Sequence, residues 1–132
     1  MKVFICVDND YGIAYNHRRQ SRDRILMADA IHTAKKRLFC TPYSEPLLLE
    51  HPRLVVCENP LTDAQEEDFV FAEKMLLAEA FDKIDTLILY RWNRDYPSDM
   101  KFDLDLSAFH LISKEYFVGS SHDKITKEIY TK

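Results

Sequence analysis

Lys2-Val3-Phe4-Ile5-Cys6-Val7 opens the chain, and its β-branched and aromatic side chains follow one another almost without interruption. A strand with one face in water would alternate apolar and polar residues, and this run does not. It therefore predicts a central strand that is covered on both faces. Covering both faces requires layers above and below the sheet, which is the arrangement of an α/β domain.

The elements predicted after this strand alternate between helices and strands. Met27, Ala30, Ile31 and Ala34 repeat at the spacing of one helical face, and Ser21 offers an N-cap for that helix. Further strands are predicted at 37–40, 54–57, 69–71 and 86–90, with short helices at 41–49, 62–65 and 77–84 between them. Two final strands, 109–118 and 124–131, are predicted to meet around Gly119.

This order predicts one three-layer α/β domain over residues 1–132, with a mostly parallel central sheet and an antiparallel C-terminal hairpin. The composition, 46% hydrophobic and 30% charged, is that of an ordinary globular protein. A net charge of -4 argues against broad attraction to nucleic acid or anionic membrane.

The cysteines indicate a compartment rather than a site. Cys6, Cys40 and Cys57 each fall in a short apolar run, and their spacing matches neither a zinc site nor a disulfide framework. They are interpreted as small buried hydrophobic residues in a reducing compartment. No apolar stretch approaches the length of a membrane span, so we expect a cytoplasmic protein with no membrane partner.

Glycine is scarce, because Gly12 and Gly119 are the only two in the chain. A phosphate-binding loop needs several glycines so that backbone N–H groups can approach the ligand. The usual nucleotide-binding loops therefore cannot be assembled from this sequence.

Several short motifs, in this order of elements, resemble dihydrofolate reductase over almost the whole chain. The matching segments are Tyr11-Gly12-Ile13 and Asn16 in the first loop, Asp23 at the start of the first long helix, Pro52-Arg53-Leu54-Val55-Val56, Ser98-Asp99-Met100-Lys101-Phe102, and the closing hairpin at 109–130. The resemblance implies that Asp23 faces a substrate pocket, where it would bind a pterin-like or amide-bearing ring, with Arg53 reaching a carboxylate. The other interpretation, which we prefer, is that Asp23 stabilises the helix start through its charge.

The departures from that family concern the cofactor. Ala72 and Glu73 stand where the family has a glycine pair that admits the cofactor pyrophosphate, and 40–44 lacks its Gly-Arg-x-Thr pattern. Glu73 is expected to occupy a helix N-terminus, satisfy its N–H groups and repel phosphate. We therefore expect no nicotinamide or other cofactor, and a non-enzymatic role is favoured, with Asp23 as the one catalytic candidate.

The chain also resembles a group of small clostridial proteins that carry the name ribonuclease Z. That enzyme binds two zinc ions through a His-x-His-x-Asp-His run. The histidines here are His17, His32, His51, His110 and His122, and none belongs to such a run. We therefore expect no metal site.

Three polar segments are candidates for binding. Residues 16–24 include Asn16, Arg18 and Arg19, which could clamp a carboxylate or phosphate, or form a solvated loop. Residues 90–99, which include Arg91 and Trp92, follow the carboxyl end of a predicted parallel strand. Ligand pockets form at such strand ends. The equally good alternative is that Trp92 fills the edge of the core.

The third segment, 119–124, contains serine, histidine and aspartate in succession. Consecutive residues of an extended turn point in different directions, so these neighbours cannot form a hydrolytic relay. A hairpin turn is predicted instead, in which His122 could be a pH-sensitive contact.

The sequence thus predicts a module that binds a small molecule or a partner and has lost its nicotinamide site. The ligand is expected to be a small anion or heterocycle, and the candidate residues are Asn16, Arg18, Arg19, Asp23, Arg53, Arg91 and Trp92. One alternative is an RNA-binding or RNA-processing protein, with Tyr15, Tyr90 and Trp92 as stacking faces. Another is a reductase with an altered cofactor. The sequence leaves the oligomeric state open.

Overall fold

A seven-stranded sheet forms the middle layer of the protein in a computed structural model that describes residues 1–132. The strands in chain order are β1 (Lys2–Val7), β2 (Gly12–Tyr15), β3 (Arg18–Arg19), β4 (Leu38–Cys40), β5 (Leu54–Val56), β6 (Phe69–Phe71), β7 (Thr86–Arg91), β8 (Met100–Lys101), β9 (His110–Phe117) and β10 (Ile125–Thr131). The helices are α1 (Arg24–Thr33), α2 (Glu45–Leu48) and α3 (Pro60–Asp63), with 3₁₀ helices at Ala78–Lys83 and Leu106–Ala108.

The large sheet has the order β5-β4-β6-β1-β7-β10-β9. β1 is parallel to both β6 and β7, and β4 is parallel to β5 and β6. β10 is antiparallel to β7 and to β9, so the C-terminal hairpin closes the sheet. The predicted α/β class, the mostly parallel sheet and the antiparallel finish are confirmed.

β1 is central because both of its faces are buried. Val3, Ile5 and Val7 pack in one core with Leu77 of the segment that precedes the first 3₁₀ helix. Phe4 points to the opposite core, which contains the buried face of α1. Since adjacent side chains of a strand point to opposite faces, one uninterrupted apolar run supplies both cores.

Two local predictions differ from the structure, and one sheet was not predicted. The N-cap of α1 is Asp23 rather than Ser21, since the Asp23 carboxylate accepts hydrogen bonds from Ile25 N and Leu26 N. The helix expected at 77–84 is a 3₁₀ helix. A second sheet, in the order β3-β2-β8, has strands too short to show a periodic pattern in the sequence.

The cysteines are free, with Cys40 buried and Cys6 and Cys57 half-buried. Burial raises the pKa of the Cys40 thiol to about 12. No helix combines the length and the apolar character needed to cross a bilayer.

Asp103 caps the 3₁₀ helix Ala78–Lys83. Its two carboxylate oxygens accept hydrogen bonds from Leu77 N at 2.7 Å and Ala78 N at 3.0 Å. These are N–H groups that a helix leaves without partners at its first turn. The cap therefore places a negative charge at the positive end of the helix.

Asp103→Ala should lower the free energy of unfolding by about 1 kcal/mol, because the two N–H groups lose their acceptor. Urea titration at neutral pH measures this change. Asp82→Ala is the matched control, since Asp82 is exposed in the same 3₁₀ helix and makes no ion pair. Equal stability of the two variants would contradict the assigned cap.

Candidate functional site

The connections of the sheet create a crevice between β4 and β6. β4 continues through α2 to β5 at one edge, whereas β6 continues through the first 3₁₀ helix to β7 on the far side of β1. Neighbouring parallel strands whose connections leave in opposite directions open a crevice at their carboxyl ends, and ligands bind there.

A cavity of about 680 Å³ occupies this crevice. We call it the β4–β6 groove; it is lined by residues 41–43, 58–62 and 73–76 and by Glu79, Ala80 and Lys83. Its volume is that of a small-molecule site.

An ion pair between Arg19 and Glu73 closes the inner end of this groove. Arg19 Nε and Nη2 donate to the two Glu73 oxygens at 2.8 and 2.9 Å, and Ser44 Oγ donates to Glu73 Oε1 at 2.7 Å. The Arg19 guanidinium also lies over the Tyr43 ring, 4.3 Å from its centroid. The hydrogen bonds to Glu73 raise the pKa of Arg19. Arg19 is therefore held by an internal carboxylate.

This placement corrects the sequence interpretation of Glu73. We expected it to cap the helix that follows β6, and Asp103 does so instead. Glu73 lies before that helix and pairs with Arg19, because β3 brings the guanidinium against the end of β6.

The β4–β6 groove carries unpaired charges of both signs. Lys74 Nζ lies 3.9 Å from the Tyr43 ring centroid, and Lys83 Nζ donates to the carbonyls of Leu61 and Thr62 at 2.8 and 2.9 Å, so neither ammonium group is neutralised by a carboxylate. Glu58 and Glu79 are exposed and form no ion pair. The two unpaired carboxylates and the two unpaired ammonium groups balance.

A second cavity, of about 820 Å³, lies between α1 and α2. We call it the α1–α2 groove; it is lined by Met27, Ala28, Ile31, Pro46, Leu47, Leu49 and Glu50, with Arg22, Asp23, Arg24, Ser120 and Ser121. Arg22 and Arg24 are exposed and form no ion pair. Glu50 is also exposed and unpaired, so this groove combines an apolar floor with two unpaired cations and one unpaired carboxylate.

Asp23 lies beside the second groove, but its carboxylate is fully enclosed by donors. Its side chain is 0% exposed. The donors are Ile25 N, Leu26 N and Ser120 N to Oδ1, at 3.0, 3.2 and 2.9 Å, and Ser121 N, Ser121 Oγ and His122 Nδ1 to Oδ2, at 2.8, 3.2 and 3.0 Å. The carboxylate thus joins the start of α1 to the turn between β9 and β10.

Two opposing effects act on the pKa of Asp23. Burial raises it, and the hydrogen bonds from Ser121, Ser120, His122 and Leu26 lower it. The donors prevail, so the pKa of the Asp23 carboxyl lies well below its usual value.

His122 connects Asp23 to two hydroxyl groups. Its Nε2 lies 2.9 Å from Tyr96 Oη and 3.2 Å from Ser21 Oγ, and its ring stacks on Trp92 at 4.5 Å between centroids. The sequence pattern raised the question of such a relay only for the consecutive residues 119–124. Ser21 is 101 positions from His122, and no local pattern indicates this contact.

Arg19, Ser21 and Trp92 share a third, much smaller space. We call it the central cleft; it measures about 20 Å³ and is lined by Cys6, Ile13, Arg19, Gln20, Ser21, Met27, Ala72, Glu73 and Trp92. A space of this size holds about one water molecule.

The remaining candidate residues lie elsewhere. Asn16 and Arg18 are exposed at the turn between β2 and β3. Arg53 is exposed and precedes β5, so it lies at the amino ends of the parallel strands, away from the β4–β6 groove. Arg91 Nε donates to Glu128 at 2.8 Å. Of the predicted set, Arg19 and Trp92 share the central cleft, and Asp23 is linked to Trp92 through His122.

Structural comparison agrees with the topology. Enterococcus faecalis dihydrofolate reductase, in a complex with NADP(H) and RAB-propyl, superposes with a TM-score of 0.67 over 98% of this chain and 94% of that chain. The protein has a dihydrofolate reductase-like fold. Sequence identity is 13%, so the likeness is one of fold. No protein-family model and no curated protein sequence matches the chain.

The ribonuclease Z resemblance remains a prediction. No three side chains of His, Cys, Asp or Glu gather in an arrangement that could hold a metal ion.

Asp23→Asn should destabilise the protein at pH 7 by about 2 kcal/mol or more, because an amide cannot accept all of the buried donors. A carboxyl with a lowered folded-state pKa stabilises the fold above its unfolded pKa of about 3.9, and this stabilisation is lost as the pH falls below that value. The wild type should therefore lose stability on acidification below about pH 4, and the variant less steeply.

Urea titrations between pH 7 and pH 2 measure both slopes. Asp123→Asn, at an exposed neighbour of the same turn that accepts no hydrogen bond, is the control and should follow the wild type. Parallel wild-type and Asp23→Asn profiles would refute the role given to this carboxylate.

Proposed function

We propose that the protein is a small-molecule-binding domain of dihydrofolate reductase-like fold whose ligand occupies the β4–β6 groove without a pyridine dinucleotide. The observation that carries this proposal is the cavity of about 680 Å³ at the carboxyl ends of β4 and β6. The volume lies within the range of about 300–1,000 Å³ typical of ligand sites, and the position is where open α/β sheets bind ligands.

The residues around the groove do not fit a dinucleotide. A pyrophosphate requires free backbone N–H groups at a helix start. Leu77 N and Ala78 N already donate to Asp103, and Glu73 stands in the chain between them and the end of β6. A phosphate group at this point would meet the Asp103 carboxylate instead of free N–H groups, which opposes its binding.

The unpaired charges of the groove bear on the ligand chemistry. Glu58 and Glu79 form no ion pair, and neither do Lys74 and Lys83, so the unpaired charges balance. Leu61, Met75 and Leu76 supply an apolar wall. We infer a neutral heterocycle rather than the anion expected from the arginine cluster, because Glu73 already engages Arg19.

RNA binding is the second candidate function, and one observation favours it. Arg18, Arg22 and Arg24 are exposed and lack ion pairs, and Tyr15 is 51% exposed close to Arg18 in the chain. These groups could contact phosphates and stack on a base. Tyr90 and Trp92, the other expected stacking residues, are buried and offer no such face.

A matched pair of variants tests the groove. Leu76 and Leu49 are exposed leucines, 55% and 65% accessible, and they line the β4–β6 and α1–α2 grooves respectively. Amide chemical shifts of the ¹⁵N-labelled protein should respond to neutral heterocyclic fragments at Thr41, Asn59 and Met75. Leu76→Arg should abolish these responses by adding charge and removing apolar contact, and Leu49→Arg should preserve them.

NADPH at millimolar concentration should leave the amides of the β4–β6 groove unmoved. Fragment responses confined to the α1–α2 groove, or NADPH binding beside Glu73, would show that the groove is wrongly assigned.

For the second candidate, the dissociation constant of a labelled single-stranded RNA should rise steeply with salt. The double variant Arg18→Ala/Arg22→Ala should bind more weakly and reduce the salt slope by about 0.7 for each phosphate that these arginines neutralise in the wild type. Fluorescence anisotropy measures both quantities. Lys35→Ala/Lys36→Ala is the control, since these exposed cations follow the other end of α1. Salt-independent binding, or equally weakened binding in the control, would exclude this candidate.

A further inference from the structure

Ser21, His122 and Asp23 form a hydrogen-bonded series. Ser21 Oγ lies 3.2 Å from His122 Nε2, and His122 Nδ1 lies 3.0 Å from Asp23 Oδ2. The imidazole thus joins a hydroxyl on one nitrogen to a carboxylate on the other. This is the order in which a serine, a base and its orienting acid are placed in acyl-transferring enzymes of unrelated folds.

The carboxylate sets the tautomer of the histidine. The Asp23 carboxylate accepts from Nδ1, so the ring proton lies on Nδ1 and the lone pair of Nε2 points to the hydroxyls of Ser21 and Tyr96. Trp92 stacks on the ring and holds its plane. A proton arriving at Nε2 would create an imidazolium beside an ionised carboxylate, which stabilises it.

Ser21 is not needed to anchor the turn. The backbone N–H groups of Ser120 and Ser121 already join the turn to Asp23, at 2.9 and 2.8 Å. The only hydrogen bond of the Ser21 hydroxyl is the one with His122. Ser21 is half-buried while His122 and Asp23 are buried, so it is the member of the series that a substrate can reach.

Two backbone N–H groups next to the Ser21 side chain in the chain have free hydrogen-bonding capacity. The backbone N–H groups of Ser21 and Arg22 donate to no protein atom. The N–H of a nucleophile, or of the residue after it, stabilises the oxyanion in serine hydrolases.

Gln20 Oε1 is the one buried side-chain polar atom without a hydrogen-bond partner. The orientation of its side-chain amide is fixed because Gln20 Nε2 donates to Asp8 at 2.8 Å and to the Pro97 carbonyl at 3.2 Å. Gln20 and Ser21 both line the central cleft. An unpartnered acceptor beside the serine can orient a water molecule.

The central cleft limits the size of the acyl group. Its volume of about 20 Å³ admits a group the size of a water molecule or a methyl group. Cys6, Met27 and Trp92 make part of its wall apolar. An acetyl ester matches this space better than a long-chain ester does.

We propose that Ser21 is the nucleophile, His122 the general base and Asp23 the positioning residue of an esterase site for small acyl groups. Ser21 Oγ bonds to the carbonyl carbon while its proton moves to His122 Nε2. The carbon–oxygen bond to the leaving alcohol then breaks, and that alcohol takes the proton. Water attacks the acyl-serine, gives its proton to Nε2 and releases the acid, and the proton returns to Ser21.

Hydrolysis of p-nitrophenyl acetate by the full chain tests the site, together with a fluorophosphonate probe located by peptide mass spectrometry. We expect the probe on Ser21. Ser21→Ala should lose the label and at least about 100-fold of the turnover, because no hydroxyl remains for the base to activate. This variant keeps the His122–Asp23 contact and should stay folded. Ser107→Ala, at an exposed serine near β9, should keep wild-type turnover.

Tyr96→Phe separates a catalytic role from a structural one. Tyr96 Oη shares the Nε2 lone pair with Ser21, at 2.9 Å. Without the Tyr96 hydroxyl, the Nε2 lone pair can accept a hydrogen bond from Ser21 alone, so turnover should rise by about twofold or more. A purely structural relay would gain no activity from this change.

Two results would overturn the proposal. One is a wild-type turnover that Ser21→Ala reproduces, and the other is a fluorophosphonate label that is absent or lies on another residue. Fragment binding in the β4–β6 groove is measured separately in Ser21→Ala, so failure of the esterase site leaves the test of the groove intact.

Discussion

The Asp23 carboxylate is the interaction on which the arrangement of the site depends. It accepts hydrogen bonds from N–H groups at the start of α1 and in the turn between β9 and β10. These two segments are about a hundred residues apart in the chain. Hydrogen bonds to a charged group contribute about 1.5–3 kcal/mol each, and a buried carboxylate without them would be strongly destabilising. Gly119 allows this close approach, because a Cβ there would lie 2.8 Å from Asp23 Cγ.

The contact of that turn with Asp23 also affects the size of the central cleft. It seats His122 on Trp92 and against Ser21, in the region where the central cleft narrows to about 20 Å³. The Arg19–Glu73 pair borders the same cleft and the β4–β6 groove. The larger cavities therefore lie outside this cleft, one of about 680 Å³ beyond the ends of β4 and β6 and one of about 820 Å³ between α1 and α2.

The sheet could be predicted from the sequence because its signals are local. A run such as Lys2–Val7 carries its own evidence of burial on both faces, and the order of such runs predicts the layers. Asp23 does accept hydrogen bonds at the helix start, from Ile25 N and Leu26 N, as its position in the sequence suggests. Its bonds to Ser120 and Ser121 could not be predicted, because they depend on how the hairpin docks. Serine and aspartate are both favourable N-cap residues, so only tertiary contacts decide whether Ser21 or Asp23 caps α1.

Pairing during folding also explains why a count of arginines is a poor guide to the ligand. Arg19, Arg37 and Arg91 are held by Glu73, Asp68 and Glu128, so their charges are compensated within the protein. A guanidinium in such a pair would have to lose that partner before it could bind an anion, which opposes anion binding. The groups free to attract a ligand are those that folding leaves unpaired. In the β4–β6 groove these are two carboxylates and two ammonium groups, which balance, whereas in the α1–α2 groove two guanidinium groups exceed the one carboxylate of Glu50, so the two grooves differ in net charge.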